Sequence, residues 1–289
     1  MSLGIWLEAT RPKTLPAAAA PVLVGTALAL ARDAFHAPSA IAALVGALLI
    51  QIGTNYANDF YDFQKGADTE DRLGPRRATQ AGLVTPAAMK RAFVLAFALA
   101  FLVGSYLVVR GGWPIVAIGL ASIVSGIAYT GGPYPLGYNG LGDLFVWIFF
   151  GPVAVGGTVW VQAHGIEPVD LVVGAAFGLL ATAILSVNNL RDADTDVLAG
   201  KRTLAVRFGK GFARFEYAAC LVVALLVPLV LGIVSERPAL VGVLLLVPWA
   251  FVLYRRVART EGSALNPLLG ATGKFLVAYA VLFALGWLA

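Results

Sequence analysis

The stretches NYANDFYD (residues 55–62) and NNLRDADTD (residues 188–196) each end a long apolar run with a repeated polar pattern. In each one an asparagine is followed four residues later by an aspartate, and a second aspartate comes three or four residues after that. These offsets return to nearly the same face of a helix. They predict a first stripe of Asn55, Asp59 and Asp62 and a second stripe of Asn188, Asp192 and Asp196. Carboxylates within apolar helices are costly and usually mark a functional site.

The composition predicts an integral membrane protein. Of 289 residues, 59% are hydrophobic and 13% are charged, and the mean hydropathy is +0.82, which is far more apolar than an ordinary soluble domain. We expect one all-α membrane domain over residues 1–289, a multi-pass helical bundle. Its nine apolar runs are 15–31, 39–61, 87–109, 113–130, 141–162, 169–190, 213–234, 238–254 and 268–288.

The basic residues predict the orientation of these spans in the lipid bilayer. With nine spans, 18 of the 21 basic residues fall on the side of the N-terminus, and only Arg32, Arg110 and Arg237 fall on the other. The positive-inside rule makes the crowded side cytoplasmic, so the C-terminus is expected outside a cell (inner or plasma) membrane. The net charge of +5 therefore reflects the orientation of the chain in the membrane, and no nucleic-acid partner is expected.

The two stripes also predict an internal repeat. They lie on the second and sixth runs, so both end at the cytoplasmic face, and spans 1–4 and 5–8 form parallel-related halves followed by a ninth span. Each stripe is followed by a long charged loop, at about 62–86 and 191–212. We therefore expect function at the cytoplasmic end of the bundle.

Two sets of aspartates without cysteine or histidine predict a Mg²⁺ site, because Mg²⁺ prefers oxygen ligands and completes its shell with water and substrate phosphates. Asn55, Asn58 and Asn188 are candidates to ligate the metal or to orient the carboxylates. The nearby basic side chains would donate to phosphate oxygens. They are Lys65, Arg72, Arg76, Arg77, Arg191 and Lys201. A diphosphate whose other end requires a membrane carries a hydrophobic tail, as an isoprenoid diphosphate does.

The motifs carry a family resemblance over nearly the whole chain. Asn58-Asp59-x2-Asp62 with Asp68 following, and Asp192-x3-Asp196, resemble the two aspartate-rich motifs of the UbiA superfamily of intramembrane aromatic prenyltransferases. Longer strings at 11–16, 68–82, 129–137, 188–192 and 200–206 resemble the branch that prenylates dihydroxynaphthoate in menaquinone biosynthesis. Asp68 follows Asp62 by six residues where the general superfamily pattern has four, so its role as a metal ligand depends on how the loop folds.

The resemblance implies a UbiA-like bundle of nine spans around a cavity that opens to lipid, with two Mg²⁺ ions bridging the diphosphate. Asp59, Asp62, Asp192 and Asp196 would be the catalytic metal ligands, with Asp68 as a further ligand. Departure of pyrophosphate creates allylic carbocation character, which Tyr129 and Tyr134 are candidates to stabilise. An aromatic acid acceptor, dihydroxynaphthoate, would lose CO2 on prenylation. Arg11, Lys13, Arg76, Arg77 or Gln80 would orient its carboxylate, and Asp143 would hydrogen-bond its hydroxyl.

Two other interpretations remain open at this stage. The same scaffold and metal site would serve a prenyltransferase that acts on a hydroxybenzoate, a homogentisate or a glycerol phosphate ether. A cation-coupled transporter would also place acidic residues within the membrane, but it would spread them through the membrane depth. Here the acidic residues gather at the cytoplasmic end beside basic residues, which favours the enzyme.

Overall fold

The computed structural model describes residues 3–67 and 72–289, and all regular secondary structure within those ranges is helical. Its helices are α1 (Leu3–Ala9), α2 (Leu15–Leu30), α3 (Ala37–Gln64), α4 (Pro86–Gly111), α5 (Trp113–Ala128), α6 (Gly142–Phe149), α7 (Pro152–Ala163), α8 (Pro168–Leu198), α9 (Leu204–Val234), α10 (Val247–Arg259) and α11 (Asn266–Leu288). Short 3-10 turns at Pro12–Thr14, Leu136–Tyr138, Pro238–Leu246 and Gly262–Leu265 join some of them.

The prediction of an all-helical membrane bundle is confirmed. Eight helical segments of the described chain are long and apolar enough to cross a membrane, and α5, with 16 residues, is a shorter ninth. Several spans are built from two helices in series, such as α6 and α7, which meet at Gly151 and Pro152. The predicted count of nine apolar runs is therefore close, and the run at 113–130 is the short one.

Local sequence determines where several helices begin. The Thr85 hydroxyl caps α4 by accepting from the amide of Ala88, and the Thr203 hydroxyl caps α9 by accepting from the amide of Val206. Proline occupies the first turn of α3, α4, α7 and α8, where no intrahelical donor is lost. In α9, Gly209 has φ 84° and kinks the helix, a conformation that glycine adopts without a Cβ clash.

The helices pack into two apolar clusters. The larger one surrounds α8 and includes Phe177, Tyr279 and Phe283, whose rings pack against one another. The smaller one joins α3 and α4 through Phe60 and Phe93, with ring centroids 5.6 Å apart. The two polar stripes therefore lie on helices of different clusters, with α3 in the smaller one and α8 in the larger one.

The end of the bundle opposite the stripes is closed by its three arginines. Arg32 donates to both carboxylate oxygens of Asp170 at the start of α8. Arg110 contacts the ring of His164. Arg237 donates to the carbonyl of Trp287 and lies over the ring of the same residue. Arginine at this end therefore ties helix ends together.

Candidate functional site

The carboxylates of the first stripe hold the loop that follows α3. Asp59 accepts hydrogen bonds from the backbone amides of Ala78 and Thr79, each at 3.0 Å. Asp62 accepts from Arg77 at 2.7 Å through one oxygen and from the hydroxyl of Tyr138 at 2.7 Å through the other. Both aspartates are almost fully buried. A buried carboxylate is stable only when its oxygens are satisfied in this way.

The second stripe is paired with cations. Arg191 donates to both oxygens of Asp192, at 2.7 and 2.6 Å, which is the bidentate geometry that guanidinium groups favour. Lys201 lies 3.4 Å from Asp196, a looser contact than that of Arg191. Asp196 is also within electrostatic range of Asp192 and of Asp62 in the first stripe. The two stripes therefore face one another across a shared space.

Tyr138 links the two stripes. Its ring lies beneath the ammonium groups of Lys65 and Lys201, at 4.8 and 5.0 Å from the ring centroid, while its hydroxyl donates to Asp62. Lys65 also donates to the carbonyl of Thr130 at 2.6 Å. Burial lowers the pKa of Lys65, Asp62 opposes that effect, and the charge of Lys201 adds to it. Two ammonium groups held close together are candidate donors to the same phosphate group.

Arg191 also fixes the charged loop after α3 against α8 and α11. It donates to Asn266 at 2.8 Å, and Asn266 in turn donates to the carbonyl of Leu73 at 2.8 Å. Gly74 lies directly against the guanidinium, since a Cβ atom added there would be 2.7 Å from Nη2 of Arg191. The loop is thus locked to the second stripe by a buried arginine.

The predicted asparagines orient neighbouring groups. Asn55 donates to the carbonyl of Thr10 at 2.9 Å, which fastens the segment before α2 to α3. Asn58 accepts from the hydroxyl of Thr130 at 2.9 Å, and Asn188 accepts from Arg191 at 2.7 Å. All three lie beside the carboxylates.

Two other predicted residues also lie near this cluster. Tyr129 packs against Gly137 and Gly142 within electrostatic range of Asp62, Asp143 and Asp196. Asp143 is buried and accepts from Asn189 at 3.4 Å.

The remaining predicted residues are less closely joined to the cluster. Tyr134 is 60% exposed and does not line the cavity described below. Arg76 is exposed, and Gln80 and Arg72 are partly buried, with Arg72 donating to the carbonyl of Pro75. Lys13 is exposed with its stem beside Gly270 on α11, and Arg11 has φ 53°. Asp68 lies outside the described residues. The substrate contacts of all these residues stay predictions.

An apolar cavity of about 400 Å³ lies beneath the polar cluster, between helices α2 to α7. Gln51, Thr54 and Tyr129 line its polar end, and Gln51 is one helical turn before Asn55. Its wall includes Phe101 and Leu120, which are 62% and 51% exposed, so the cavity is open on the outer surface of the bundle. The site therefore combines a charged end with an open apolar channel.

The donor set suits a hard divalent cation, although no three acidic, histidine or cysteine side chains of the described ranges gather into a complete metal-binding group. The four aspartates of the stripes offer oxygen donors from two facing helices. Mg²⁺ commonly takes one or two carboxylates and completes its shell with water and phosphate oxygens. The residues therefore fit Mg²⁺ that binds together with a phosphate-bearing ligand.

Sequence reasoning missed several residues of this site. Tyr138, Thr130 and Asn189 contact predicted residues directly, and Asn266 reaches the site from α11. Tyr138 follows a glycine- and proline-rich loop between two apolar runs, which was the available signal for it. Asn266 has no such signal, because only the packing of α11 against α8 brings it near Arg191.

Comparison with known proteins gives the same family throughout. The model of the UbiA prenyltransferase family matches residues 18–279. The 1,4-dihydroxy-2-naphthoate octaprenyltransferase of Escherichia coli (strain K12) is 42% identical over 290 residues, with 97% of this chain and 94% of that protein covered. The protein of the same name from Mycobacterium tuberculosis is 39% identical over 281 residues, with 97% and 95% covered.

The fold matches solved structures at lower sequence identity. A UbiA homolog from Archaeoglobus fulgidus, bound to GPP and Mg²⁺, aligns with TM-score 0.69 at 15% identity and covers 96% of this chain and 99% of its own. A UbiA homolog from Aeropyrum pernix K1 aligns with TM-score 0.67 at 15% identity, with 94% and 96% covered. The sequence match over nearly the full length and the shared fold agree, and the chain belongs to the UbiA prenyltransferase family.

Proposed function

We propose that this protein transfers a polyprenyl group from polyprenyl diphosphate to 1,4-dihydroxy-2-naphthoate, with release of pyrophosphate and CO2, to give demethylmenaquinol in menaquinone biosynthesis. The observation that carries the proposal is that Tyr129 lines the open apolar cavity and also lies within electrostatic range of an aspartate from each of the two facing stripes. A prenyl diphosphate has the same two parts. The names of the relatives that are 36–42% identical support the naphthoate acceptor and do not favour the other acceptors.

The diphosphate would bind at the charged end. Lys65 and Lys201 would donate to its oxygens from above Tyr138, and Arg77 is close by on Asp62. Asp59, Asp62, Asp192 and Asp196 would hold Mg²⁺, in our proposal two ions, which would supply positive charge to stabilise the departing pyrophosphate. Mg²⁺ in the solved relatives bound to GPP or DMAPP supports the use of a divalent metal.

The prenyl tail would lie in the apolar cavity, with its allylic end beneath Tyr129. The C–O bond to the diphosphate breaks, and its electron pair leaves with pyrophosphate. The Tyr129 ring would face the cationic carbon from the polar end of the cavity. Exclusion of bulk water by the apolar walls protects that carbon from hydrolysis.

The acceptor would enter beside the cluster and attack through its carboxylated ring carbon. A carbon–carbon bond forms, CO2 leaves, and the electron pair of the broken bond restores the aromatic ring. Arg11, Lys13, Arg76, Arg77 and Gln80 remain our candidates to orient the carboxylate. Asp143, held by Asn189, remains the candidate partner of a hydroxyl.

We also propose that the stripes and the N-terminus face the cytoplasm of a cell membrane and that the C-terminus lies outside. The single domain would consist of two parallel-related halves and a ninth span. The concentration of basic residues at the end of the bundle that carries the stripes supports this orientation.

The test is mass-spectrometric product analysis of the purified protein in detergent with Mg²⁺ and polyprenyl diphosphates. Dihydroxynaphthoate, hydroxybenzoate and homogentisate are supplied separately. We expect a prenylated naphthol that lacks the mass of CO2, and no product after chelation of the metal or in Asp192→Asn. Turnover of a different acceptor alone, or turnover that persists without a divalent metal, would overturn the proposal.

A further inference from the structure

The last two turns of α10 present an unusual basic surface. Arg255, Arg256 and Arg259 are exposed, and with Val252 they recur at offsets of three and four residues, which places them on one helix face. We call these three residues the α10 arginine face. Together with Phe251, Val252 and Thr260 they line a surface concavity of about 380 Å³.

This face differs from the other basic groups near it. Lys210 is paired with Asp194 at 2.8 Å and Arg214 with Glu261 at 2.8 Å. No arginine of the α10 face has an acidic partner within the part of the chain that the structure describes, and Arg255 has only the ring of Phe251, at 5.7 Å. Three adjacent uncompensated charges repel one another unless an external anion joins them.

The surroundings identify the class of that anion. Phe251 and Val252, 57% and 46% exposed, lie one turn before the arginines on the surface of a membrane-crossing segment. The arginines themselves lie at the end of the bundle that carries the stripes, because α11, which follows, begins beside Arg191. A ligand that fits must place a phosphate at the helix end and apolar chains along the helix above it.

We propose that the α10 arginine face binds the phosphodiester headgroup of an anionic phospholipid, whose acyl chains lie along Phe251 and Val252. Guanidinium groups bind phosphate oxygens bidentately, and three of them on one face match a single headgroup. The face is separate from the carboxylate stripes and is independent of the reaction proposed above. It would hold this end of the bundle at the level of the lipid headgroups.

The test is a titration of the intact protein in neutral detergent with dioleoyl phosphatidylglycerol or dioleoyl phosphatidylcholine, followed by native mass spectrometry. We expect the wild-type protein to prefer phosphatidylglycerol. Arg255→Gln/Arg259→Gln should weaken phosphatidylglycerol binding about 30-fold, since each basic residue near a membrane surface contributes about fivefold to the affinity. Phosphatidylcholine binding should not change.

The matched control is Lys90→Gln/Arg91→Gln, which removes two exposed charges near the start of α4. It should keep the wild-type preference, whereas an equal loss in both double variants would overturn the site in favour of a diffuse charge effect. Equal binding of the two lipids by the wild type would also overturn it. The single variant Arg256→Gln changes the helix less. It should weaken phosphatidylglycerol binding about fivefold and leave phosphatidylcholine binding unchanged.

Discussion

The hydroxyl of Tyr138 donates to Asp62 at 2.7 Å while the same ring supports Lys65 and Lys201. One side chain from the loop between α5 and α6 thus joins a metal-ligand candidate on α3 to cations from both charged loops. Because both ammonium groups lie over this ring, their positions depend on it.

Tyr138→Phe should lower kcat/KM by roughly 10- to 100-fold, because hydrogen bonds to charged groups contribute about 1.5–3 kcal/mol. Tyr138→Leu should also raise the KM for the prenyl diphosphate, since it removes the ring beneath both lysines. Steady-state kinetics with varied diphosphate measure both effects. Tyr106→Phe, on α4 outside the cavity lining, is the control. Wild-type kinetics in Tyr138→Leu would contradict the role assigned to the ring.

Asp59→Asn and Asp196→Asn should both abolish turnover but differ in stability. Asp59 uses both oxygens to accept from the amides of Ala78 and Thr79, so the asparagine leaves one buried amide unsatisfied, at a cost of about 1–3 kcal/mol. Among the residues that the structure describes, the Asp196 carboxylate has only the looser contact with Lys201. Thermal unfolding in detergent should therefore show the larger decrease in Tm for Asp59→Asn. Substantial activity in either variant would defeat the two-stripe mechanism.

Gly74→Ala should impair activity although Gly74 is not a candidate ligand. The added Cβ would lie 2.7 Å from an Arg191 nitrogen that Asn188 and Asp192 hold at 2.7 and 2.6 Å, so the guanidinium cannot simply move aside. We expect a loss of about tenfold in kcat/KM, equivalent to about 1.4 kcal/mol of displaced contacts. Gly211→Ala, where nothing lies within 4 Å of the added atom, should behave like the wild type.

Gly104→Phe should shift the preference toward shorter prenyl diphosphates. Gly104 lines the cavity, and a Cβ atom there meets nothing within 4 Å, so the phenyl group would fill channel space. Exclusion of two methylene groups costs about 1.6 kcal/mol, which should raise the KM of a long substrate by about tenfold or more. Geranyl diphosphate should be less affected. Gly242→Phe, outside the lining, is the control, and an unchanged chain-length profile in Gly104→Phe would contradict this location of the tail.

Much of the fold and the two stripes of the site follow from local sequence. Apolar runs of membrane length predict the helices because an isolated backbone in lipid must satisfy its own hydrogen bonds. The spacing of Asn55, Asp59 and Asp62 predicts their shared face because helical periodicity is a local property. The family resemblance added Asp68, the two tyrosines and the acceptor contacts as candidates.

The chain by itself therefore determined the membrane class, the helical spans, the two stripes and the basic loops. The tertiary structure alone decided which groups form hydrogen bonds with the stripes and the basic residues. Asn266 reaches Arg191 only because α11 packs against α8, and Tyr138 reaches Asp62 only because its loop crosses between the stripes. Contacts of this kind join residues far apart in sequence, so no local periodicity encodes them. They depend on how the helices pack around the cavity.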